Sequence, residues 1–493
     1  MNRLDLANSF VEQYKKEVKT AYRPKFHVIP PFGWMNDPNG FSYYNGEYHL
    51  FYQYHPYFPK WGPMHWAHVK SKDLVNWEWL PIALAPDKDY DKDGCFSGTG
   101  IVDGDRHVLM YTSHLHPDSD NTSLYIQQQC MAYSNDGVNY TKSKNNPVIS
   151  TKMVPISGDH QDFRDPKIMK SGDLWYSLIA NRNIDGSGQI LVYKSTDLEN
   201  WTYHGIFCRS RNQVGEMWEC PDVFQVDGKD VFTISPMYLP QKGDAFSNIH
   251  SAVYFIGELD LEKPEFAGSD FYEIDYGLDF YAPQSVETPD GRRIMIGWMQ
   301  TWERNYPTDD MKHGWACSMS LPRELSIADG RLIQKPAREL TAYRTNHVNH
   351  KNIELNGSLS LSGIEGNALE LDLSVDLKTS KSLKIQLLKS DEESVDLTYS
   401  REERTFTFSR ANTKTKINGW EDHQVESRTF HVDVQDKIRL QIFVDVSTVE
   451  VFIEGGKYVS SSTVFPLDRG TGVAIHSDGL LEIESIDKWD IGI

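Results

Sequence analysis

The chain has 493 residues, a formal net charge of -20 and 24% charged residues. This length predicts two or three domains, at about 100–200 residues for each domain. The acidic surface disfavours nucleic acid and anionic membranes as partners, because both carry negative charge. No apolar run reaches the roughly 18–20 residues of a membrane span. We therefore expect a soluble protein.

The N-terminus predicts a helical segment over residues 1–25. Apolar residues recur there at helical spacing, at Leu4, Ala7, Val11, Tyr14 and Val18. The segment lacks the apolar centre of a signal peptide, which predicts a cytoplasmic protein. Five cysteines without C-x-x-C spacing agree with this, because such a set is typical of free thiols in a reducing compartment.

Most of the following chain consists of short β-branched and aromatic runs ended by Gly, Pro, Asn or Asp, which predicts an all-β fold. One unit is repeated: SKDLVNWEWLP at 71–81 returns as STDLENWTYHG at 195–205, and more weakly as YSNDGVNYTK at 133–142. A strand, an Asp turn and an aromatic residue that packs between sheets are typical of propeller blades. The alternative is coincidence among turn-rich strands.

The pattern changes after about residue 334. Apolar residues alternate strictly with polar ones at Leu369, Leu371, Leu373, Val375 and Leu377. The alternation returns at Ile438, Leu440, Ile442, Val444 and Val446, and after a turn at Val449, Val451 and Ile453. Such alternation is typical of half-buried antiparallel sheets and predicts a β-sandwich over residues 350–493.

Two acidic segments are candidates for chemistry. In FGWMNDPNGF, Asp37 lies in a dense turn signal where a strand gives way to a loop, although it could simply cap the turn. In HQDFRDPKI, Arg164 precedes Asp165, and a guanidinium beside an acid favours its carboxylate form. The alternative for the second segment is an ordinary surface ion pair.

A third acidic segment, VGEMWECPDVF, contains Glu216 and Glu219. Their odd offset places them on opposite faces of a strand, so only one can face a shared cavity. Apolar neighbours such as Met217 and Trp218 would desolvate a carboxyl group and favour its protonated form, as a general acid requires. Trp218 could equally be part of the core.

The three segments together resemble the invertase, or β-fructofuranosidase, family of glycoside hydrolases (family 32). WMNDPNG, FRDP and EC-P are the diagnostic motifs of that family and occur here in the family's order. FSGT at 96–99, YAPQ at 281–284 and LPREL at 321–325 extend the resemblance over nearly the whole chain. It implies a five-bladed β-propeller over residues 26–340, followed by a C-terminal β-sandwich.

The resemblance also implies roles for the three acids. Asp37 would be the nucleophile, Glu219 the acid/base, and Asp165 a group that binds fructose hydroxyls and stabilises the transition state. Retaining glycosidases place their two carboxyl groups about 5–5.5 Å apart, whereas inverting enzymes leave roughly 6.5–9.5 Å. We predict the shorter spacing, with Asp37 ionised and Glu219 protonated.

Further residues match positions that bind the sugar in the family. They are Trp34, Asn36, Gln53, Trp61, Phe96, Ser97, Arg164 and Trp298. Amides and hydroxyls suit sugar hydroxyls and an aromatic face suits the ring's C–H surface, although Trp298 could equally be core.

His65 and His68 lack a cluster of carboxylates or cysteines at ligand spacing, and the family uses no metal, so we expect neither metal nor cofactor. Cys220 lacks a His partner, so we expect it to shape the pocket.

The predicted function is hydrolysis of sucrose or sucrose 6-phosphate through a covalent fructosyl-enzyme intermediate. The alternatives are a fructan hydrolase (levanase or inulinase), a fructosyltransferase, and a carbohydrate-binding propeller without catalysis. Recognition of a phosphate would need a cationic patch, for which Lys60, Arg304, Lys312 and His313 are available. The sequence leaves the oligomeric state open, a homodimer included.

Overall fold

The computed structural model describes residues 2–268, 270–419 and 425–492. Helix α1 spans Arg3–Tyr14, and the side chain of Asn2 caps it by accepting the Asp5 amide at 2.8 Å. A 3-10 turn, Lys15–Glu17, follows, and Ala7 and Val11 form the buried side of α1. Among the described residues, none of the helices combines the length and the apolar character of a membrane span.

The next part of the chain forms five sheets of four or five strands, in which most neighbouring strands are consecutive in sequence and antiparallel. Blade 1 contains β1 (Gly33–Tyr44), β2 (Glu47–His55), β3 (His65–Ser71) and β4 (Glu78–Leu84). Blade 2 contains β5 (Gly94–Asp103), β6 (Arg106–Leu115), β7 (Ile126–Ser134) and β8 (Thr141–Lys142). After a 3-10 turn at Thr151–Met153, blade 3 contains β9 (Gly158–Ser171), β10 (Leu174–Asn183), β11 (Gly188–Ser195) and β12 (Thr202–Arg209).

Two further blades complete the set. Blade 4 contains β13 (Trp218–Val226), β14 (Lys229–Pro236), β15 (Val253–Asp260), β16 (Glu265–Gly268) and β17 (Tyr272–Glu273). Blade 5 begins with β18 (Tyr281–Glu287) and β19 (Arg293–Trp298). The chain then forms helix α2 (Pro307–Asp310) and the short β20 (Trp315–Ala316) before it completes blade 5 with β21 (Arg323–Ala328) and β22 (Arg331–Pro336).

The first strand of each blade borders a central axis. Strand β1 contacts β5, β5 contacts β9, β9 contacts β13, β13 contacts β18, and β18 returns to β1. Strand β20 also pairs in parallel with β1, where Gly33 lies opposite Trp315. The ring is therefore closed, and the prediction of a five-bladed propeller is confirmed.

The repeated sequence unit is one turn, used between the third and fourth strands of a blade. In blade 1, the Asp73 carboxylate accepts the amides of Val75 and Asn76, and the Trp77 indole donates to the Leu74 carbonyl at 2.9 Å. The same bonds recur in blade 3 at Asp197, Leu198 and Trp201. The weaker copy is the corresponding turn of blade 2, at Asp136 and Gly137. The prediction that one unit is reused is confirmed.

After a 3-10 helix at Arg338–Tyr343, the chain forms two six-stranded sheets. The strands, in chain order, are β23 (Arg344–Leu355), β24 (Ser358–Leu359), β25 (Ala368–Asp376), β26 (Ser382–Lys389), β27 (Val395–Ser400), β28 (Thr405–Ser409), β29 (Ser427–His431), β30 (Lys437–Asp445), β31 (Thr448–Ile453), β32 (Tyr458–Thr463), β33 (Gly472–Ser477) and β34 (Leu481–Ile491). One sheet has the order β23-β34-β25-β30-β31-β32 and the other β24-β33-β26-β27-β28-β29. A 3-10 turn, Glu454–Gly456, separates β31 from β32.

The two sheets enclose one apolar core, which confirms the predicted sandwich. The alternating residues of β25 and β30 lie in this core, at 0–2% exposure for Leu369, Leu371, Leu373, Val375, Ile438, Leu440, Ile442 and Val444. The prediction was wrong at Val446, which has a φ of 56° and lies in the hairpin turn between β30 and β31. A turn there breaks the period of two residues that the alternation assumed.

A buried cluster of charges joins the propeller to the sandwich. His27, which precedes β1, bonds Asp445 through Nδ1 at 2.8 Å and Glu450 through Nε2 at 3.0 Å. Glu450 also accepts from Arg323 of blade 5 at 2.7 Å. Burial disfavours the charged imidazolium, but the hydrogen bonds that it donates to Asp445 and Glu450 outweigh this effect and raise the pKa of His27 to about 9.

This cluster predicts a pH-dependent stability. Because the pKa of His27 rises from 6.5 to about 9 on folding, its contribution of about 3 kcal/mol is complete below pH 6.5 and is lost as the pH rises through 9. We expect His27→Gln to lower the denaturation midpoint more at pH 6 than at pH 10, as measured by circular dichroism. The exposed His160→Gln is the control, and an equal loss at both pH values would contradict the charge assignment.

Candidate active site

The first strand of each blade contains a β-bulge at the same level of the ring. The pairing register shifts after Met35 in β1, Phe96 in β5, Arg164 in β9, Glu219 in β13 and Tyr281 in β18. In three of these bulges a non-glycine residue has a positive φ, at Asp165 (61°), Cys220 (47°) and Ala282 (50°). A bulge redirects the side chains beside it. The bulges therefore position the residues of the site.

A cavity of about 670 Å³ opens on the propeller axis at this level. Eight predicted site residues line it: Asn36, Asp37, Gln53, Trp61, Phe96, Arg164, Asp165 and Glu219. All three candidate acids thus face one cavity, although they come from three different blades. Glu216 lies before β13, contacts Arg182 at 3.5 Å and is not part of the lining, as the odd offset from Glu219 predicts.

Asp37 is held by three donors. Its Oδ2 accepts from the Ser97 hydroxyl at 2.7 Å and lies 3.4 Å from the Cys220 thiol, and its Oδ1 accepts from the Asn36 amide at 3.2 Å. Burial and the charge of Glu219 raise the pKa of Asp37, and the hydrogen bonds from Ser97, Asn36 and Cys220 oppose this shift. The donors favour the ionised form that we expected, against a substantial cost of burial.

Asp165 is hydrogen-bonded to the first strand of blade 4. Its Oδ2 accepts the Cys220 amide at 3.0 Å, and the side chain is buried. Burial raises the pKa of Asp165 to about 7, with Glu219 and Asp37 adding to the rise, although Arg164 lowers it. Arg164 thus favours the carboxylate form of Asp165, as expected, but its guanidinium donates to Asp162 and Glu219, and burial has the larger effect on Asp165.

Arg164 and Tyr281 hold Glu219. The Arg164 Nε and Nη2 atoms donate to Glu219 Oε1 at 3.1 and 3.0 Å, and the Tyr281 hydroxyl donates to Oε2 at 2.7 Å. The expected apolar setting was wrong, since Trp218 instead packs in the core and donates its indole N–H to the Val214 carbonyl at 2.7 Å. Glu219 lies among charged and polar donors.

Three predicted site residues lie behind the cavity wall. The Ser97 hydroxyl accepts a hydrogen bond from Gln53 at 2.6 Å and donates one to Asp37. The Trp34 indole donates to Asn36 Oδ1 at 2.9 Å and so fixes the amide beside Asp37. Trp298 is fully buried against Trp34 and Trp302, with ring centroids 5.9 and 4.9 Å away. Its core role, the alternative noted for it, is the one the structure supports.

The blade 2 wall of the cavity was missed by the sequence reasoning. It consists of His114, His116, Thr122, Tyr125 and Gln127, and Trp302 adds to the lining from blade 5. His114 stacks on Phe96 with ring centroids 4.2 Å apart. Strand β6 ends with a run of alternating histidines, T-S-H-L-H, which is the signal that could have pointed to this wall.

The cations suggested for phosphate recognition lie elsewhere. Lys60 is paired with Asp309 at 3.3 Å, Arg304 is buried against Asp279 at 3.1 Å, and Lys312 and His313 are absent from the cavity lining. None of the four is among the residues that line the cavity. Within the described residues, its lining contains one guanidinium, Arg164, and two histidines.

His65 and His68 are core residues. His65 bonds the Pro63 carbonyl at 3.0 Å, and His68 bonds His49 at 2.9 Å and stacks on Phe51. In the described part of the chain, no group of three or more His, Cys, Asp or Glu side chains could hold a metal ion. Burial raises the pKa of the Cys220 thiol, so the thiol keeps its proton and can donate weakly to Asp37 and Asp165, 3.4 and 3.6 Å away.

Paired carboxyl groups in a sugar-sized cavity are the arrangement that glycoside hydrolysis requires. Comparison with known proteins agrees. The family model described as "Glycosyl hydrolases family 32 N-terminal domain" matches residues 27–336, and the model for the family's C terminal matches residues 339–490. The chain belongs to glycosyl hydrolase family 32, as its motifs predicted.

Individual relatives cover nearly the full length. A sucrose-6-phosphate hydrolase of Escherichia coli is 34% identical over 98% of both chains. The structure of a beta-fructofuranosidase from Bombyx mori superposes with a TM-score of 0.86 at 35% identity, over 99% of this chain and 97% of that one. The sucrose-6-phosphate hydrolase from Lactobacillus gasseri gives a TM-score of 0.87 at 30% identity, over 98% and 96%.

The pKa of Asp165 predicts that this acid destabilises the folded protein at alkaline pH. Because folding raises that pKa from 3.8 to about 7, stability is lost as the pH rises through 7 and the buried group ionises. We expect Asp165→Asn, which resembles the protonated acid, to raise the thermal midpoint more at pH 8.5 than at pH 5.

A turn aspartate gives the opposite sign as a control. Hydrogen bonds from the Asn200 side chain and backbone lower the pKa of Asp197 to about 2, so Asp197→Asn should lower the midpoint at both pH values. A destabilised Asp165→Asn at pH 8.5 would refute the assigned shift.

Proposed function

We propose that the chain is a retaining β-fructofuranosidase that hydrolyses sucrose or sucrose 6-phosphate. The observation that carries the proposal is the meeting of Asp37 and Glu219 in one cavity, although 182 positions separate them in the sequence. Asp165 lies beside both, since each of them contributes to its raised pKa. One acid can then act as nucleophile and the other as proton donor on the same linkage.

Asp37 has the contacts of a nucleophile. Three donors fix its carboxylate and leave the group facing the cavity, so an oxygen can attack the anomeric carbon of a bound fructosyl unit. The bond from that carbon to the bridging oxygen breaks as the bond to Asp37 forms. The product of this step is a covalent fructosyl-enzyme ester and a free glucose unit.

Glu219 would give its proton to the bridging oxygen in the first step. In the second step its carboxylate takes a proton from water, whose oxygen attacks the anomeric carbon and releases Asp37. Arg164 and Tyr281 fix the position of the Glu219 carboxyl group. We predict a separation of about 5–5.5 Å between the carboxyl groups of Asp37 and Glu219, the spacing of a retaining enzyme.

Asp165 would bind fructose hydroxyls and stabilise the positive charge that develops at the anomeric carbon. Its position supports this role, because it lines the cavity and shares the Cys220 side chain with Asp37. Trp61, which is 49% exposed, and Phe96 lie at the cavity edge, where aromatic faces suit the C–H surface of a leaving sugar.

Two observations support sucrose or sucrose 6-phosphate as the substrate. The E. coli and L. gasseri relatives are named sucrose-6-phosphate hydrolases, and one structure of the Bombyx mori enzyme is a complex with sucrose.

We further propose a catalytic propeller at residues 26–340 and a sandwich at residues 350–493 as separate domains. Five free cysteines support a reducing compartment, the cytoplasm, as the site of action.

The roles of the acids can be tested by substitution. We expect Asp37→Asn to abolish sucrose hydrolysis and Glu219→Gln to lower kcat about 10²–10⁴-fold, since general acid catalysis contributes that much. Released glucose measures the rate, and the thermal midpoint checks folding. Lys229→Gln, at the exposed first position of β14, is a control that should keep wild-type turnover. Wild-type turnover by Asp37→Asn would refute the nucleophile assignment.

The substrate and the stereochemistry need separate measurements. We expect kcat/KM to be higher for sucrose or sucrose 6-phosphate than for inulin, because the E. coli and L. gasseri relatives, which match nearly the whole chain, are named sucrose-6-phosphate hydrolases. Early products followed by NMR should contain β-fructofuranose, as retention requires. Faster turnover of inulin would indicate a fructan hydrolase, and fructosylated sucrose as the main product would indicate a transferase.

A further inference from the structure

Asp162 is a buried acid that the reaction described above does not use. It precedes the FRDP motif in β9, is 8% exposed and is not part of the cavity lining. Its Oδ1 accepts from Arg164 Nη1 at 2.6 Å and from the Tyr125 hydroxyl at 2.8 Å, and its Oδ2 accepts from Arg182 Nε at 2.8 Å. Both carboxylate oxygens of Asp162 thus accept a hydrogen bond.

The backbone fixes this acid as firmly as its side chain does. The Asp159 carboxylate accepts the Asp162 amide at 3.1 Å, and the Asn181 side chain donates to the Asp162 carbonyl at 2.6 Å. Burial alone would raise the pKa of Asp162, but Arg164, Arg182 and Tyr125 lower it below its ordinary value. Asp162 is therefore a fixed negative charge at neutral pH.

Arg164 is shared between Asp162 and Glu219. One edge of its guanidinium, Nε and Nη2, faces Glu219, while Nη1 faces Asp162. A guanidinium is planar and cannot rotate one nitrogen without the others, so Asp162 fixes the plane that Glu219 meets. The same contact neutralises part of the positive charge that Arg164 presents to Glu219.

We infer that Asp162 is a positioning residue that orients Arg164 and thereby sets how readily Glu219 holds its proton. The inference rests on the proposed role of Glu219 as the acid. Unshared, Arg164 would stabilise the carboxylate of Glu219 and weaken it as a proton donor. With Asp162 on one side and Arg182 behind it, the charges alternate from Arg182 to Asp162 to Arg164 to Glu219.

Other groups also face Glu219 and act alongside this line of charges. Four act on it directly: Asp37 from blade 1, Asp165 from blade 3, Cys220 from blade 4 and Tyr281 from blade 5. Two residues of blade 2 act indirectly, His114 through Arg164 and Tyr125 through Asp162. Asp162→Asn also changes the acceptor of the Tyr125 hydroxyl, whereas Arg182→Gln leaves that contact in place.

The test is the pH dependence of kcat/KM for sucrose, whose alkaline limb reports loss of the proton from the general acid. Asp162→Asn removes a negative charge, so the alkaline limb should move to lower pH by about 0.5–1.5 units. Arg182→Gln removes a positive charge from the far side and should move the limb to higher pH. Shifts of the alkaline limb in opposite directions cannot result from a general loosening of the fold, which would affect both variants in the same way.

Matched variants complete the design. Asp162→Glu restores the charge and should return the limb to near its wild-type position, even if kcat stays lower. Asp173→Asn removes an equal charge from the exposed turn between β9 and β10 and should leave the limb in place. If Asp162→Asn does not fold by circular dichroism, Arg182→Gln and Asp162→Glu still carry the test.

Failure of this inference differs from failure of the proposed function. Limbs of Asp162→Asn and Arg182→Gln that coincide with wild type, or that move in the same direction, would overturn the role of Asp162 while an inactive Glu219→Gln keeps the acid assignment. Undiminished hydrolysis by Glu219→Gln would instead overturn the assignment on which the inference rests.

Discussion

Repulsion among three acids in one buried cavity is the constraint that the rest of the site has to satisfy. Asp37 and Asp165 both have raised pKa values, with burial as the main cause and the charges of the neighbouring acids as further causes. Without hydrogen-bond donors around them, three acids this close would keep their protons or repel one another and separate the strands that hold them. The surrounding donors, Ser97, Asn36, Cys220, Arg164 and Tyr281, are the groups that make the arrangement tolerable.

Closure of the ring keeps the three acids together despite their repulsion. Each acid belongs to the first strand of a different blade, so the acids stay together only while the five first strands remain in contact. The pairing of β20 with β1 joins the end of the propeller to the strand that holds Asp37. The sandwich reinforces this closure, since Glu450 binds the Leu321 amide at 2.7 Å, just before blade 5 resumes.

Much of the fold could be predicted from the sequence because the relevant signals are local. The Asp73 and Asp197 turns share a sequence as well as a set of hydrogen bonds, and the alternation through Leu369 and Leu373 follows directly from the period of a strand. Val446 was misplaced for a related reason, since alternation does not reveal where a hairpin turns.

The site was less predictable where it depends on contacts between blades. The motifs indicated Asp37, Asp165 and Glu219, but not the direction of the Arg164 side chain, which reaches past its neighbour in sequence to a strand of the next blade. The blade 2 wall, with His114 and Tyr125, carries no motif, and its place in the cavity follows only from the closed ring. Long-range electrostatics, such as the burial that raises the pKa of Asp165, likewise needs the assembled fold.

The repeated bulge has a consequence for how this architecture can change. All five first strands present an irregular position at the same level of the axis, yet only some of them hold an acid: blade 2 presents Ser97 and blade 5 presents Ala282. A substitution at Asp37, Asp165 or Glu219 alters what faces a bound molecule, whereas one at Ser97 or Ala282 alters a position that does not line the cavity. The paired strands thus maintain the fold while the bulges hold the reactive side chains, and the specificity can change by substitutions in one blade at a time.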